Sequence, residues 1–448
     1  MSDRNRWLAL YMLCAGELMI VLDTTVVNVA LPSIQSDLGF TEAALVWVVN
    51  AYMVTYGGFL LLGGRLGDLY GQRRLFLLGI VLFTIASLAC GLAQSREFLI
   101  AARAVQGLGG AVVSAIALSL IMNLFSEPAE RAKAMGIYSF VCAGGGSVGV
   151  LAGGLLTSAL GWHWVFLINI PIGVAVYACC VGLLPRDSAP AARPRLDIAG
   201  ALSATTASML AVYGIVNSQW WIVVAGAALF AAFLGIEAKV KEPLMPLRLF
   251  RIRSVSVTNA IGVLWAAAMF AWFFISALYM QHVLNYDPMQ IGLAFLPANL
   301  IMMVFSIWLS AKVVMRFGLR LPIIVGMALS ALGLALFALA PAVSHLGGGF
   351  WLHVLPGMLL LGLGCGMALN PVMLAAMGDV APEESGLASG VVNTSFMMGG
   401  SIGLAALASL AAGSGYQAAF AAGALFALVA AILPVLLQPS SEGVKYAH

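Results

Sequence analysis

The sequence predicts an all-α membrane protein of fourteen transmembrane helices, and three observations carry that expectation. Of 448 residues, 62% are apolar and 9% charged, with a mean hydropathy of +1.02. Soluble domains carry roughly 25% charged residues, so a soluble globular enzyme is excluded, as is a disordered chain. The apolar residues also gather in runs of about twenty, the length needed to cross the hydrocarbon of a bilayer. Finally, all but two of the 21 Lys and Arg residues fall at alternate ends of those runs. The exceptions are Arg96 and Arg103. That segregation is the positive-inside pattern with both termini cytoplasmic.

Taken in order, runs bounded by charge, Gly or Pro place spans near 8–31, 44–64, 74–93, 98–123, 135–157 and 164–184. Two follow near 197–216 and 219–237. Six more lie near 257–281, 292–311, 321–340, 351–376, 386–411 and 417–437. The first run is too long for a signal-peptide core and holds Glu17 and Asp23, so it reads as a retained helix. In 197–216, Ser203, Thr205, Thr206 and Ser208 dilute the apolar run. The charge count alone does not separate fourteen spans from twelve, because losing the 197–237 pair leaves both flanks on the same side. The length and apolarity of 219–236 favour fourteen.

Residues 128–149 and 382–403 repeat one another in register. Pro128, Glu130, Ala134 and Gly136 match Pro382, Glu384, Ala388 and Gly390, and Gly145, Gly146, Ser147 and Gly149 match Gly399, Gly400, Ser401 and Gly403. A weaker echo pairs Arg65 and Gly71 with Lys312 and Gly318. The chain therefore reads as a six-helix half over 1–184, a linker with two inserted helices over 185–253, and a second six-helix half over 254–448. Parallel halves related by an axis along the membrane normal are a transporter layout.

Four segments carry chemistry. Between the second and third spans stands GRLGDLYGQRR, residues 64–74, where glycines permit a tight turn and Asp68 follows Arg65 at helical i, i+3 spacing. With Arg73 and Arg74 it reads either as a gate, Asp68 docking on a helix N-terminus, or as a basic loop that only sets topology. The first span carries LDTTVVNVALP, residues 22–32. An ionised acid near mid-membrane costs roughly 2.5–3.5 kcal/mol on insertion scales, so Asp23 is expected to face a cavity and work. Glu17 lies six positions earlier and well round the helix; it is a second acid or a snorkelling one.

The fourth span places Arg103, Gln106, Gly107 and Gly110 on one thin polar face. A guanidinium does not readily lose its proton, so a buried one needs an anion or carbonyls. Asp23 is the nearest candidate, and snorkelling to the interface is the alternative. In the fifth span Gly145, Gly149 and Gly153 recur every four residues, the small-residue pattern of close helix packing and a candidate seal. The six cysteines and five histidines show no metal-ligand spacing, and no nucleophile–base constellation or nucleotide-binding P-loop occurs. A metal site, an enzyme and ATP-driven transport are not expected.

These segments resemble the major facilitator superfamily, and within it the fourteen-helix drug/proton antiporters. GRLGDLYGQRR resembles the superfamily loop motif, LDTTVVNVALP the first-helix signature of the fourteen-helix group, RAVQGLGGA (103–111) the basic motif of helix 4, and SVGVLAGGLL (147–156) the antiporter motif of helix 5. Val150 stands where that last motif usually has Pro, and Met315 stands where a second Asp68 maps. The resemblance implies the major facilitator fold. It also implies efflux of small hydrophobic, often cationic drugs by alternating access, driven by a proton gradient with no other cofactor. Asp23 and Arg103, with Glu17, then couple protons; Arg65, Asp68, Arg73 and Arg74 gate. The expected setting is a bacterial inner membrane, with protons and lipid as partners, no nucleic acid, and a monomer.

Substrate contacts are expected among Trp47, Tyr52, Tyr56 and Trp265, whose rings could stack on a lipophilic cation. Polar contacts are expected among membrane amides, Asn28, Asn299, Asn370 and Asn393, together with Asn50 and Asn169. Rival readings are an exporter or symporter dedicated to one metabolite or lipid, and a non-transporting membrane sensor or scaffold.

Overall fold

The computed structural model of the chain describes residues 3–125, 127–185, 187, 197–240, 243–340, 349–377, 379–380 and 385–437. Among them all regular structure is helical. The first half comprises α1 (Asp3–Leu38), α2 (Glu42–Tyr70), α3 (Gln72–Gly91), α4 (Arg96–Leu124), α5 (Pro128–Leu160), and a span broken at Ile168 into α6 (Trp164–Leu167) and α7 (Asn169–Leu183). Then come α8 (Ile198–Val216) and α9 (Trp220–Glu237). The second half comprises α10 (Arg253–His282), α11 (Pro288–Val304), a π-helical stretch (Phe305–Leu309), α12 (Ser310–Phe317), α13 (Arg320–Leu339), α14 (Gly349–His353), α15 (Leu355–Met377), α16 (Ser385–Ser414) and α17 (Tyr416–Ile432).

Thirteen of these segments are long and apolar enough to span a membrane. The expected span near 292–311 falls on α11, which has only 17 residues of its own. It continues unbroken through the π-helical stretch into α12, and this composite helix completes fourteen. Helices also outrun their apolar stretches: α1 continues from the predicted 8–31 to Asp3 and Leu38, because backbone hydrogen bonding continues beyond the hydrocarbon once a helix is nucleated. The hydroxyls of α8 fit an apolar setting by bonding to their own helix. Thr205 donates to the Ala201 carbonyl at 2.7 Å and Ser208 to that of Ala204 at 3.0 Å.

The two halves pack alike. In the first, α1 lies on α5, and α4 on α2 and α3; in the second, α10 lies on α16, and α15 on α11 and α13. The halves meet along two seams, α5 with α11 and α2 with α16. Since α5 corresponds to α16 and α2 to α11, these seams are each other's mates under the internal two-fold. The inserted helices break that symmetry: α8 packs on α2 and α16, and α9 packs on α8. A mostly apolar cavity of about 240 Å³ lies between them and α2, α10 and α16, off to the side of the inter-half axis.

Two ends are distinguishable. At the end away from the basic loops, α1 is buried over residues 26–32, and α10 is buried over 271–280. There Tyr416 donates to Glu42 Oε1 at 2.9 Å and lies 3.0 Å from His282 Nδ1, which is itself 3.3 Å from the same carboxylate oxygen. This clasp ties the start of α2 to the end of α10 and the start of α17, across the halves. Toward the basic end, Leu8 and Tyr11 on α1 and Ala260 on α10 are exposed although both are inner helices. Burial along α1 and α10 is thus dense at the clasp end and sparser at the basic end.

A buried charge network as the candidate functional site

Helix α4 is brought to its neighbours by glycines. A methyl group on Gly107 would sit 2.4 Å from the Tyr52 carbonyl oxygen, and one on Gly109 would sit 2.7 Å from the Phe83 nitrogen. With side chains absent there, the backbones of α2 and α3 lie against α4, and Arg103 and Gln106 are carried into the core of the first half.

Asp23 is fully buried and Arg103 is 1% exposed. Arg103 Nη1 donates to Asp23 Oδ2 at 2.5 Å and to Gln106 Oε1 at 2.7 Å, while its Nε donates to the Val48 carbonyl at 2.9 Å. Asp23 Oδ1 accepts from Gln106 Nε2 at 2.7 Å and from Asn169 Nδ2 at 3.1 Å. Ser87 Oγ accepts from both amides and donates to the Phe166 carbonyl. The guanidinium also lies 4.4 Å from the Tyr52 ring centroid, a cation–π contact. Each oxygen of Asp23 is thus engaged, and the opposite charges cancel inside a closed network drawn from α1, α2, α3, α4, α6 and α7. A buried pair offsets its desolvation only with this degree of hydrogen bonding.

Glu17 is in a different state. It is 6% exposed, with Oε1 accepting from Ser114 Oγ at 2.9 Å and the Tyr138 hydroxyl as a second neutral hydrogen-bonding neighbour. Tyr56 from α2, Tyr138 and Cys142 from α5, and Cys14 from α1 surround it. Tyr56 stacks on Tyr52 at 5.7 Å, so a pair of rings runs from the neighbourhood of Glu17 to Arg103.

At the basic end the loop between α2 and α3 turns on Gly71, whose φ of 98° suits glycine and whose Cβ position is occupied by Asp187. Asp187, from the segment after α7, accepts from the backbone nitrogens of Arg73 at 2.9 Å and Arg74 at 3.1 Å, capping α3. Arg73 also donates to the Val181 carbonyl, and Arg65 donates to the Pro243 carbonyl at 2.7 Å. The side chain of Asp68 lies outside the described residues. Sequence reasoning missed Asp187; its only signal was an acid beside Arg186 at the start of the linker.

The remaining candidates divide. Gly145, Gly149 and Gly153 face Val21, Thr25 and Val26 of α1, so they seal α5 onto its own half. The seam to α11 uses the adjacent face: Gly146 meets Asn299, and Gly154 meets Pro288 and Gly292. Asn28 bonds to the Thr24 carbonyl, Asn299 to that of Phe295, and Asn370 to that of Ser306 in the π-helical stretch; Asn393 is half-buried on α16. Asn50, on α2, donates to the Ser401 carbonyl across the seam at 2.9 Å. Trp265 does not line the cleft as expected: it packs against Phe396 in the core of the second half. Trp47 faces Tyr213 of α8.

Comparison with known proteins agrees with this architecture. The family model of the Major Facilitator Superfamily matches residues 13–367 and 259–447. A puromycin resistance protein of Streptomyces alboniger is 38% identical over 92% of this chain and 83% of its own length. A cephamycin export protein of Amycolatopsis lactamdurans is also 38% identical, over 97% and 94%. A multidrug resistance protein of Mycobacterium tuberculosis (strain CDC 1551 / Oshkosh) is 34% identical over 92% and 76%. With membrane helices in two like-packed halves, a charged network inside the first, and these relatives, the chain is a multi-pass transporter rather than an enzyme, and it belongs to the major facilitator superfamily in its drug-efflux branch.

Proposed function

We propose that the protein exports lipophilic, cationic antibiotics or related compounds across a bacterial inner membrane in exchange for protons. The observation that carries this reading is the placement of two buried acids on α1, one locked to Arg103 and one with no basic partner among the described residues. Charges at such depth are costly and mark ion pathways. The basic end is taken as the cytoplasmic end on the positive-inside argument. Alternating access then requires the clasp of Glu42, His282 and Tyr416 to part while Arg65, Asp68, Arg73, Arg74 and their partners close the basic end. The gradient is the only energy source and the monomer the working unit.

A dedicated exporter of one metabolite is the second reading, favoured by the likeness to a cephamycin export protein over nearly the whole chain. Purified protein in proteoliposomes with an imposed proton gradient, offered a panel of neutral and cationic antibiotics, tests both. Gradient-dependent transport of several chemotypes supports the first reading, and transport of one compound supports the second. Transport indifferent to the gradient removes proton coupling.

A further inference from the structure

We propose that Glu17, and not Asp23, is the carboxylate at which a proton and a cationic substrate compete. This assignment rests on the export reading above and divides the labour of the two acids on α1. Asp23 has no spare valence: Arg103 neutralises it, and three donors occupy its two oxygens. An incoming cation would have to displace a guanidinium held additionally by Val48, Gln106 and the Tyr52 ring. Glu17 has the opposite character. Its hydrogen-bonding neighbours, Ser114 and Tyr138, are neutral hydroxyls. No basic side chain among the described residues is paired with it; the groups facing it are Cys14 on its own helix, Tyr56 on α2, Ser114 on α4, and Tyr138 and Cys142 on α5.

Leaving a carboxylate ionised without a counter-charge at this depth is costly. Either of two partners removes that cost, a proton or a cation. Binding of a monovalent lipophilic cation therefore expels one proton: the carboxyl O–H is broken, the proton passes to solvent, and the carboxylate retains the electron pair and pairs with the cation. Charge at the site is unchanged by the swap. Tyr56 and Tyr138 stand beside the carboxylate. Through its stack on Tyr52, Tyr56 also links the occupancy of Glu17 to the ring beneath Arg103.

The test uses tetraphenylphosphonium, a permanent cation with no proton of its own, added to purified protein in weakly buffered detergent containing a pH indicator. The wild-type protein should release about one proton per cation bound at some point between pH 5 and 8. Glu17→Gln keeps the size and the Ser114 hydrogen bond; it should abolish release and weaken binding at least tenfold. Glu17→Asp should restore part of both. Asp23→Asn, where it remains monodisperse, should keep the proton yield. The assignment is overturned if Glu17→Gln releases protons as the wild type does. It is equally overturned if Asp23→Asn binds the cation without releasing any, or if the wild-type protein does not bind it. In that last case, gradient-driven export of neutral antibiotics by the wild-type protein leaves the export reading standing; absence of all export sinks that reading by itself.

Discussion

Arg103→Ala removes the cationic partner of a carboxylate that no water reaches. The truncation leaves Asp23 with only the neutral donors Gln106 and Asn169, and it removes the bond that Arg103 adds at the Val48 carbonyl. It also vacates the space between the Tyr52 and Phe166 rings, 4.4 and 5.6 Å from the guanidinium carbon. Breaking a buried pair from one side costs about 3–5 kcal/mol. Removing both charges together costs less, since no uncompensated ion remains. Asp23→Asn with Arg103→Gln should thus melt closer to wild type than Arg103→Ala does. Thermal unfolding of the purified single, double and wild-type proteins, followed by tryptophan fluorescence, measures this, and the coupling between the two sites should be about 2 kcal/mol or more. Strictly additive losses would show that the two residues are energetically independent. Wild-type melting of Arg103→Ala would show that the pair contributes nothing to the native state. Either result refutes the view of the network as one locked unit.

Tyr416→Phe deletes the hydroxyl joining Glu42 to His282, so distance measurements between spin labels at the two clasp-side ends should shift toward the open population; an unchanged distribution would remove the clasp from gating. Gly107→Ala places a methyl group 2.4 Å from the Tyr52 carbonyl oxygen, and overpacking of this kind costs about 1–3 kcal/mol; a lower melting temperature and lower export should appear together, whereas Gly136→Ala, where the added carbon meets nothing within 4 Å, should be silent in both. Asp187→Ala removes the cap of α3, a loss of about 0.5–2 kcal/mol, and proteolysis at the Gly71 turn should accelerate; wild-type resistance would show that the cap does not hold the loop.

The fourteen spans were legible because a charged residue in hydrocarbon is costly enough to leave gaps in the apolar pattern, and those gaps mark the loops. The same cost singled out Asp23 and Arg103, since neither has any reason to sit in an apolar run unless it is paired or in use. Their partners were harder to find. Ser87 is an unremarked hydroxyl in the third span, and Asn169 was one amide among six; nothing in one dimension says that α3 and α7 converge on α1. Glu42, His282 and Tyr416 escaped notice for another reason. Each lies at a helix end, where polar residues are ordinary, and only the fold brings residues so distant in sequence together. The aromatic residues misled because a ring in a membrane helix packs, faces lipid or lines a cleft with the same apolar signature, and Trp265 took the first of these.

The two inserted helices cover one seam between the halves and leave its mate bare. A compound already dissolved in the bilayer therefore approaches a machine with unlike flanks: along α5 and α11 it meets two helices in direct contact with lipid, and along α2 and α16 it meets a screen of α8 and α9 with an apolar pocket behind it. Any rocking of one half against the other must drag that screen with it, because α8 touches both. The screened seam therefore carries packing that its mate lacks among the described residues. An internal symmetry that would otherwise make the two seams equivalent is in this way broken at their flanks.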